Sequence, residues 1–239
     1  MSYIFNGYNW DLTDPTSIPN LLWVHIYVTL ISMGIGLAIA FPIALLVARY
    51  RPLYLPVVNT AGVIYTIPSL AVLAFLVGIP GLGLSLATII VPLVAYSQIV
   101  LIRNIVAGIR AVDPALVEVG RAMGMDRVQL QLRVILPLAL PIIIAGVRVA
   151  AVTTIGIATL APEVGTDDLG YLIFQGFNFS YKDQIFAGVI LVSLLAIVTD
   201  LLLLVLQSRL ARWMARLATL RLPWQRAHFA LGKAGSDAQ

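Results

Sequence analysis

The sequence predicts an all-α, polytopic membrane protein with about five transmembrane helices. Its 239 residues are 60% hydrophobic and only 11% charged, whereas about a quarter of the residues in soluble domains are charged. A spanning helix needs about 20 mainly apolar residues, and the ten-residue alternation of a membrane β-barrel is absent from the sequence. The predicted spans are Leu21–Ala48, Val57–Val77, Leu82–Leu101, Ile135–Leu160 and Ile185–Leu206.

Several kinds of chemistry are excluded by residue usage. The chain contains no Cys, which excludes disulfides, thiolate metal sites and Cys nucleophiles. Its two His residues, His25 and His228, are far apart, so we expect no His-based metal site or catalytic triad. Near the start of the first span, Trp23, His25 and Tyr27 are typical of the headgroup region. No G-x-x-x-x-G-K-[ST] motif occurs, so we expect this chain to bind no ATP itself.

The distribution of basic residues predicts the orientation in the membrane. Apart from Arg148 and Lys182, all fifteen Lys and Arg residues follow the first span, the third span or the fifth span. The positive-inside rule places these segments in the cytoplasm, with the N-terminus outside and the C-terminus inside. The opposite side is acidic and carries Asp11, Asp14, Glu163, Asp167, Asp168 and Asp183. No basic, cleavable leader precedes the first span, so we expect no removable signal peptide.

The chain therefore divides into three parts. Residues 1–20 form an extracytoplasmic tail, residues 21–208 form the transmembrane domain, and residues 209–239 form a basic cytoplasmic tail. This tail contains Trp213 and Trp224, a composition typical of an interfacial helix on anionic lipid.

A polar segment between the third and fourth spans, DPALVEVGRAMGMDRVQLQLRVILP, is the most ordered loop in the prediction. Asp113 suits a helix N-cap and Pro114 the first helical position. Gly124 suits a left-handed turn, and Asp126 with Gln129 forms the capping box of a second helix. We therefore predict a helix–turn–helix that runs into the fourth span. It is either a docking site for a soluble partner or an amphipathic interfacial hairpin without one.

The same segment resembles the EAA loop of binding-protein-dependent ABC importer permeases. The resemblance is carried by Glu118-Val119-Gly120, by Gly124 and by Ile135-Leu136-Pro137, with Val119 and Gly120 standing where the family usually has alanines. In that family the loop forms coupling helices, here at about 113–134, that dock into a groove on the ATPase subunit. The resemblance implies a type I importer permease fold. The implied ATPase-coupling residues are Asp113, Glu118, Gly120, Arg121, Ala122, Gly124, Met125 and Pro137.

Further motifs are similar to the glycine betaine, choline and carnitine branch of these permeases. They are Ala48–Arg51, Tyr65–Leu70, Val112–Leu116, Arg121–Met125 and Thr154–Leu160. The chain departs from this branch at Asp167 and Asp168, where relatives more often have glycine. The implied partners are an ATPase that holds ATP and Mg, an extracytoplasmic solute-binding protein and a second permease, identical or related. The implied location is the bacterial inner membrane.

Polar uncharged side chains, with one proline beside them, recur along three predicted spans and are assigned to a translocation path. They are Tyr65, Thr66, Pro68, Ser69, Tyr96, Ser97, Gln98, Thr153 and Thr154. The alternative is that the Ser and Thr hydroxyls only bond neighbouring backbone. The path contains no pair of carboxylates, which favours a net-neutral zwitterion over a free cation as solute.

Two charges lie within predicted spans and are functional candidates. Arg148 is near the middle of the fourth span and Asp200 lies in the cytoplasmic half of the fifth. Their predicted depths differ by only a turn or two, so they either form an ion pair, within or between subunits, or snorkel separately to water. On the outer side, a loop at about 162–183 holds Glu163, Asp167 and Asp168. A short helix in this loop, capped by Thr166 or Asp167, is either a gate, a receptor contact or a packing plug.

Three functions remain open at this point. The first is an ABC permease for an osmoprotectant or for another small polar solute, such as an amino acid. The second is a self-contained channel or membrane scaffold. The third, a membrane enzyme, lacks any acid–base or metal constellation in the sequence. Five spans without a visible internal repeat also argue against a complete secondary transporter in one chain.

Overall fold

Within residues 2–220, all regular structure is helical in the computed structural model of the protein, which describes those residues and the side chains of residues 3–212. Four helices are long and apolar enough to cross a membrane, and the number is five if one bent helix pair counts as a single broken span. With that pair counted, the structure has the predicted number of spans. The ten α-helices are α1 (Ser2–Phe5), α2 (Ile18–Arg49), α3 (Tyr54–Thr66), α4 (Ser69–Val77), α5 (Leu86–Arg110), α6 (Pro114–Ala122), α7 (Arg127–Leu130), α8 (Leu136–Ala158), α9 (Gly170–Asn178) and α10 (Lys182–Leu220).

The second predicted span is broken rather than continuous. Helices α3 and α4 meet at an angle of 81°, with Ile67 and Pro68 between them. Proline disfavours helical geometry in the residue before it, and Ile67 is accordingly extended, with ψ of 128°. The carbonyl oxygen of Ile67 accepts a hydrogen bond of 3.0 Å from the Tyr96 hydroxyl. A side chain of α5 thus satisfies a backbone group at the break.

The third span begins and ends later than the sequence predicts. Gly81 and Gly83 both have positive φ, at 93° and 53°, and these turns delay the start of α5 to Leu86. At the other end α5 continues to Arg110. The guanidinium of Arg110 lies 4.9 Å from the centre of the Tyr54 ring. It also donates to the carbonyl oxygen of Val47 at 3.2 Å, so Arg110 holds the ends of three helices together.

The helices pack around α5, which contacts both α2 and α8 along much of its length. Small residues permit this close approach. A side chain at Gly146 of α8 would overlap Asn104 of α5, and Ala40, Ala44 and Ala139 are fully buried in the same core. Helix α10 packs on α8 and on α9. The apolar surfaces left outside this core are those a membrane protein presents to lipid or to other subunits.

The described part of each predicted tail forms defined contacts or helix. Before α2, the indole N–H of Trp10 donates to the carbonyl oxygen of Ile4 at 2.7 Å, and the ring of Tyr3 contacts that of Tyr181 edge-on. At the other terminus α10 continues through residue 209 to Leu220. The predicted interfacial tail from residue 221 onward lies outside the described residues.

Candidate functional site

The predicted coupling segment forms a helical hairpin, made of α6, a glycine turn and α7. The carboxylate of Asp113 accepts a hydrogen bond of 2.9 Å from the backbone N–H of Ala115, which caps α6. Gly124 has a φ of 79°, the left-handed geometry that favours glycine. The side chains of Asp126 and Gln129 each accept from the other's backbone N–H, at 2.8 and 3.3 Å. The local structure predicted from these capping residues is confirmed.

Gly120 lies on the inner side of the hairpin, where α6 packs against α7. It is buried, and a side chain there would bring Cβ within 2.7 Å of the Leu130 Cδ1 atom on α7. Its carbonyl oxygen also accepts a hydrogen bond of 3.2 Å from the Met125 N–H. Gly120 therefore shapes the hairpin and presents no surface to a partner.

The outer face of the hairpin is apolar and uncovered. Leu116, Val119 and Met123 lie on one face of α6, and Met123 is 71% exposed. The exposed Val128 and Leu132 extend this surface beyond the turn. Exposed apolar patches rimmed by polar groups mark interaction sites. The remaining predicted coupling residues on this helix, Glu118, Arg121 and Ala122, are also exposed.

The hairpin is joined directly to a membrane-spanning helix. Residues Gln131–Ile135 form a single π-helical turn, in which the Leu136 N–H donates to the Gln131 carbonyl. Pro137 follows at once in α8 and has no N–H to donate, and a wider turn accommodates such a residue. Because no loop intervenes, a displacement of the hairpin acts on α8 itself.

A cleft of about 700 Å³ separates α6 from the ends of the spanning helices. Its polar lining consists of Glu118 and Arg121 from α6 together with Arg51, Tyr54 and Arg110. Glu118 and Arg121 therefore face the space between hairpin and membrane domain, whereas Leu116, Val119 and Met123 do not line it. One face of α6 therefore borders a cleft with basic side chains, and the other face is apolar and exposed.

The residues assigned to a translocation path fall into two groups. One group lies at the break between α3 and α4, where Tyr65, Thr66 and Pro68 are exposed and Ser69 is partly exposed. On α8, Thr153 is also partly exposed, and its hydroxyl donates to the Val149 carbonyl at 2.8 Å. These residues are accessible on the surface of the single chain.

The second group is used in helix packing. Tyr96, Ser97 and Thr154 are each less than 5% exposed. Gln98 donates to the carbonyl oxygens of Gly36 and Val94 at 3.2 and 3.0 Å, which links α5 to α2. In this conformation these four side chains lie in contacts between helices, and none of them lines the clefts beside α6 or beside Arg148.

Arg148 and Asp200 form a bidentate ion pair between α8 and α10. The guanidinium Nε and Nη2 atoms donate to the two carboxylate oxygens at 2.9 and 2.8 Å. The Nη1 atom donates to the side-chain oxygen of Gln207 at 3.0 Å, one heptad beyond Asp200. Of the two arrangements open from the sequence, the structure contains the pair within one chain. The side chains remain 21% and 36% exposed.

A second polar pair, which the sequence did not predict, lies buried under the outer loop. His25 of α2 and Asp168 both have fully buried side chains, and His25 Nδ1 lies 2.7 Å from Asp168 Oδ2. His25 therefore packs inside the protein and does not face the headgroups as the sequence predicted, and the outer-loop residue Asp168 is buried with it. A side chain at Gly170 would overlap the Thr159 backbone, so the loop packs tightly against the end of α8.

The 2.7 Å distance between His25 Nδ1 and Asp168 Oδ2 requires one shared proton, because two lone pairs would repel at this distance. His25 Nε2 lies 3.1 Å from the carbonyl oxygen of Ile155, which only accepts, so Nε2 carries hydrogen. A second proton must then lie between Nδ1 and the Asp168 carboxyl, on either atom. Burial raises the pKa of the Asp168 carboxyl, and the adjacent His25 partly offsets this rise. The pair as a whole is thus net neutral.

Asp168 also begins the outer-loop helix. Its Oδ1 atom accepts a hydrogen bond of 2.7 Å from the N–H of Gly170, the first residue of α9, whereas the N-cap position is Leu169 and neither Thr166 nor Asp167. Helix α9 ends at Asn178 and buries Leu172 against the start of α2. The other predicted outer-loop residues, Glu163 and Asp167, are exposed.

Comparison with known proteins assigns the chain to a family. Residues 17–216 match the family described as "Binding-protein-dependent transport system inner membrane component". The carnitine transport permease protein OpuCB of Listeria monocytogenes is 39% identical over 79% of this chain and 85% of its own length. The choline transport system permease protein OpuBB of Bacillus subtilis is 38% identical over 78% and 85%. The osmoprotectant import permease protein OsmW of Salmonella typhimurium is 32% identical over 78% and 88%.

Solved structures share the fold. The MetNI methionine ABC transporter, in an inward-facing conformation, matches with a TM-score of 0.71 at 22% identity, over 81% of this chain and 95% of that chain. The bent α3–α4 pair, the hairpin and the four long apolar helices thus occur in a chain whose fold is that of an ABC importer permease. The chain belongs to the family of binding-protein-dependent transport system inner membrane components.

Proposed function

We propose that this chain is the membrane-spanning subunit of an ATP-driven importer for a small osmoprotectant such as glycine betaine, choline or carnitine. The solute class is supported by relatives at 32–39% identity, which are carnitine, choline and osmoprotectant permeases. The observation that carries the transport role is the rigid hairpin with its uncovered apolar face, joined without a loop to α8.

The hairpin supports a coupling mechanism. An ATPase subunit that binds Leu116, Val119 and Met123 holds α6 on its apolar side. Closure of the ATPase then displaces α6 and α7 together, because Gly120 and the capping box make them one unit. The displacement passes through the π turn into α8, which carries Arg148 and ends near the outer loop. The ATPase binds ATP and Mg, and this chain forms the translocation path for the solute.

The partners follow from this role. An extracytoplasmic solute-binding protein delivers the solute, and a second permease, identical or related, completes the pore in the bacterial inner membrane. The exposed break between α3 and α4, with Tyr65, Thr66 and Ser69, is our proposed part of the path. Tyr96 is assigned a supporting role, because its hydroxyl bonds the Ile67 carbonyl at that break.

Uptake by the reconstituted complex tests this function. Proteoliposomes containing the permease, its ATPase and its solute-binding protein are supplied with ATP and a panel of glycine betaine, carnitine, choline and several amino acids. We expect ATP-dependent uptake of at least one osmoprotectant and none in a complex whose ATPase cannot hydrolyse ATP. Uptake of amino acids alone would refute the solute class. Flux that does not require ATP would identify a channel instead.

A further inference from the structure

The ion pair of Arg148 and Asp200 occupies a position that lipid does not favour. Both residues lie well inside spanning helices, near the middle of α8 and of α10. Charges at such depths almost always face protein or a water-filled cavity. Yet the two side chains remain 21% and 36% exposed in the single chain. The surface around them is therefore turned away from hydrocarbon in the assembled protein.

The pair retains unused hydrogen-bonding capacity. The guanidinium has five N–H donors, of which two bond Asp200 and one bonds Gln207. Two donors are left, and each carboxylate oxygen keeps a lone pair. A positive donor group and a negative acceptor group thus lie side by side, each with capacity for two further hydrogen bonds.

A cleft lies directly beside the pair. Its volume is about 450 Å³, within the range of about 300–1,000 Å³ that holds small ligands. Arg148, Val152, Thr153, Ile197 and Asp200 are among the residues that line it. The lining is mainly apolar, with the ion pair as its only charged groups. This combination suits a small solute that carries methyl groups and two opposite charges.

We propose that Arg148 and Asp200 form a site that recognises both charges of a zwitterionic solute during translocation. The solute carboxylate contacts the free N–H groups of Arg148, and its ammonium group lies against the Asp200 carboxylate. The site is net neutral, as is the solute, and the two side chains satisfy each other when it is empty. Binding is accordingly weak, as a path that must release its solute requires. This inference rests on the function proposed above.

The proposal makes opposite predictions for the two charges. Arg148→Gln leaves a site with net negative charge, which still attracts the cation choline but no longer binds a carboxylate. Asp200→Asn leaves a site with net positive charge, which repels choline and still binds the carboxylate of glycine betaine. A purely structural ion pair predicts instead that both solutes lose transport in parallel.

The experiment measures the ratio of the two transport rates in the reconstituted complex. Solute-binding protein and solute are saturating, so the receptor's affinity does not enter. We expect the betaine-to-choline ratio to fall about tenfold in Arg148→Gln and to rise about tenfold in Asp200→Asn, each the equivalent of about 1.4 kcal/mol. Arg148→Lys retains the charge and should retain the ratio. Arg103→Gln, at an exposed arginine that does not line the cleft, is the matched control.

Variants at Val152 test the proposal even if the Arg148 and Asp200 variants fail to fold. Val152 lines the cleft and is not a member of the ion pair. Val152→Lys should raise the betaine-to-choline ratio and Val152→Glu should lower it. Failure of both Val152 variants to insert would mean that this face meets lipid or protein and would overturn the proposal, as would an unchanged ratio.

Transport by the wild-type complex distinguishes failure of the recognition site from failure of the proposed function. If it transports both solutes but no variant changes their ratio, only the recognition site is refuted. If it transports no osmoprotectant of the panel, carnitine included, the proposed function fails and the site fails with it.

Discussion

The buried pair of His25 and Asp168 yields a quantitative prediction about stability. In His25→Ala the Asp168 carboxylate stays buried at 0% exposure, with only the Gly170 N–H left as a donor. Removal of one partner from a buried ion pair costs about 3–5 kcal/mol. At about 2–4 °C per kcal/mol for a chain of this size, the melting temperature should fall by about 6–20 °C.

Asp168→Asn is the matched control for this prediction. The asparagine oxygen still accepts from the Gly170 N–H, and its amide N–H₂ donates to Nδ1 of a neutral His25. The geometry of the pair is therefore retained, and we expect a loss below about 1 kcal/mol. Thermal unfolding in detergent, followed for wild type and both variants, measures the difference. Equal losses in the two variants would refute the proton-sharing arrangement.

The pH dependence gives a second readout with a defined sign. Burial raises the pKa of Asp168 above its ordinary value in the folded protein. Its contribution to stability is therefore fully present below the ordinary carboxyl pKa and is lost as pH rises through the raised folded value. Without His25 the offsetting effect disappears, so the deficit of His25→Ala should shrink at acidic pH and grow towards neutral pH. A deficit that does not change with pH would contradict this account.

Three further predictions concern coupling, the intramembrane pair and topology. Gly124→Val places a β-branched residue at a φ of 79°, so the complex should lose solute-stimulated ATP hydrolysis while the subunit still inserts; unchanged transport would count against the coupling role. Arg148→Ala and Asp200→Ala should each lower the melting temperature, and the double variant by less than the sum of the two losses; losses that add would show that the two residues act independently. A single cysteine at the exposed Ser180 should react with an impermeant thiol reagent from outside the cell, and reaction only from the cytoplasm would invert the topology.

The sequence predicted local structure better than tertiary contacts. Asp113, Gly124 and Asp126 act on backbone groups within three residues of themselves. Their roles can therefore be predicted from the sequence alone. His25 and Asp168 are 143 positions apart (168 − 25), and neither has a sequence neighbour that indicates the contact. Only the fold brings the first span, the end of the fourth and the outer loop to one place.

The sequence of an apolar spanning helix also does not indicate which of its faces is buried in the protein. Ser97 and Thr154 looked equivalent to Thr153 in the sequence, yet the first two are buried and the third is partly exposed. Hydropathy that is high all round a spanning helix carries no information about its inward face. Pro68 by itself indicates a break in the helix. The apolar sequence continues on both sides of it, however, and this continuity favoured one straight span.

The length of α10 has a consequence for the space beneath the membrane. Its 39 residues extend about 58 Å at 1.5 Å per residue, nearly twice the hydrocarbon thickness of about 30 Å. If the helix crosses close to the membrane normal, its last turns form a stiff strut that projects beyond the headgroups on the same side as the hairpin. Any ATPase that reaches α6 must then fit beside this strut, which limits the directions from which it can approach.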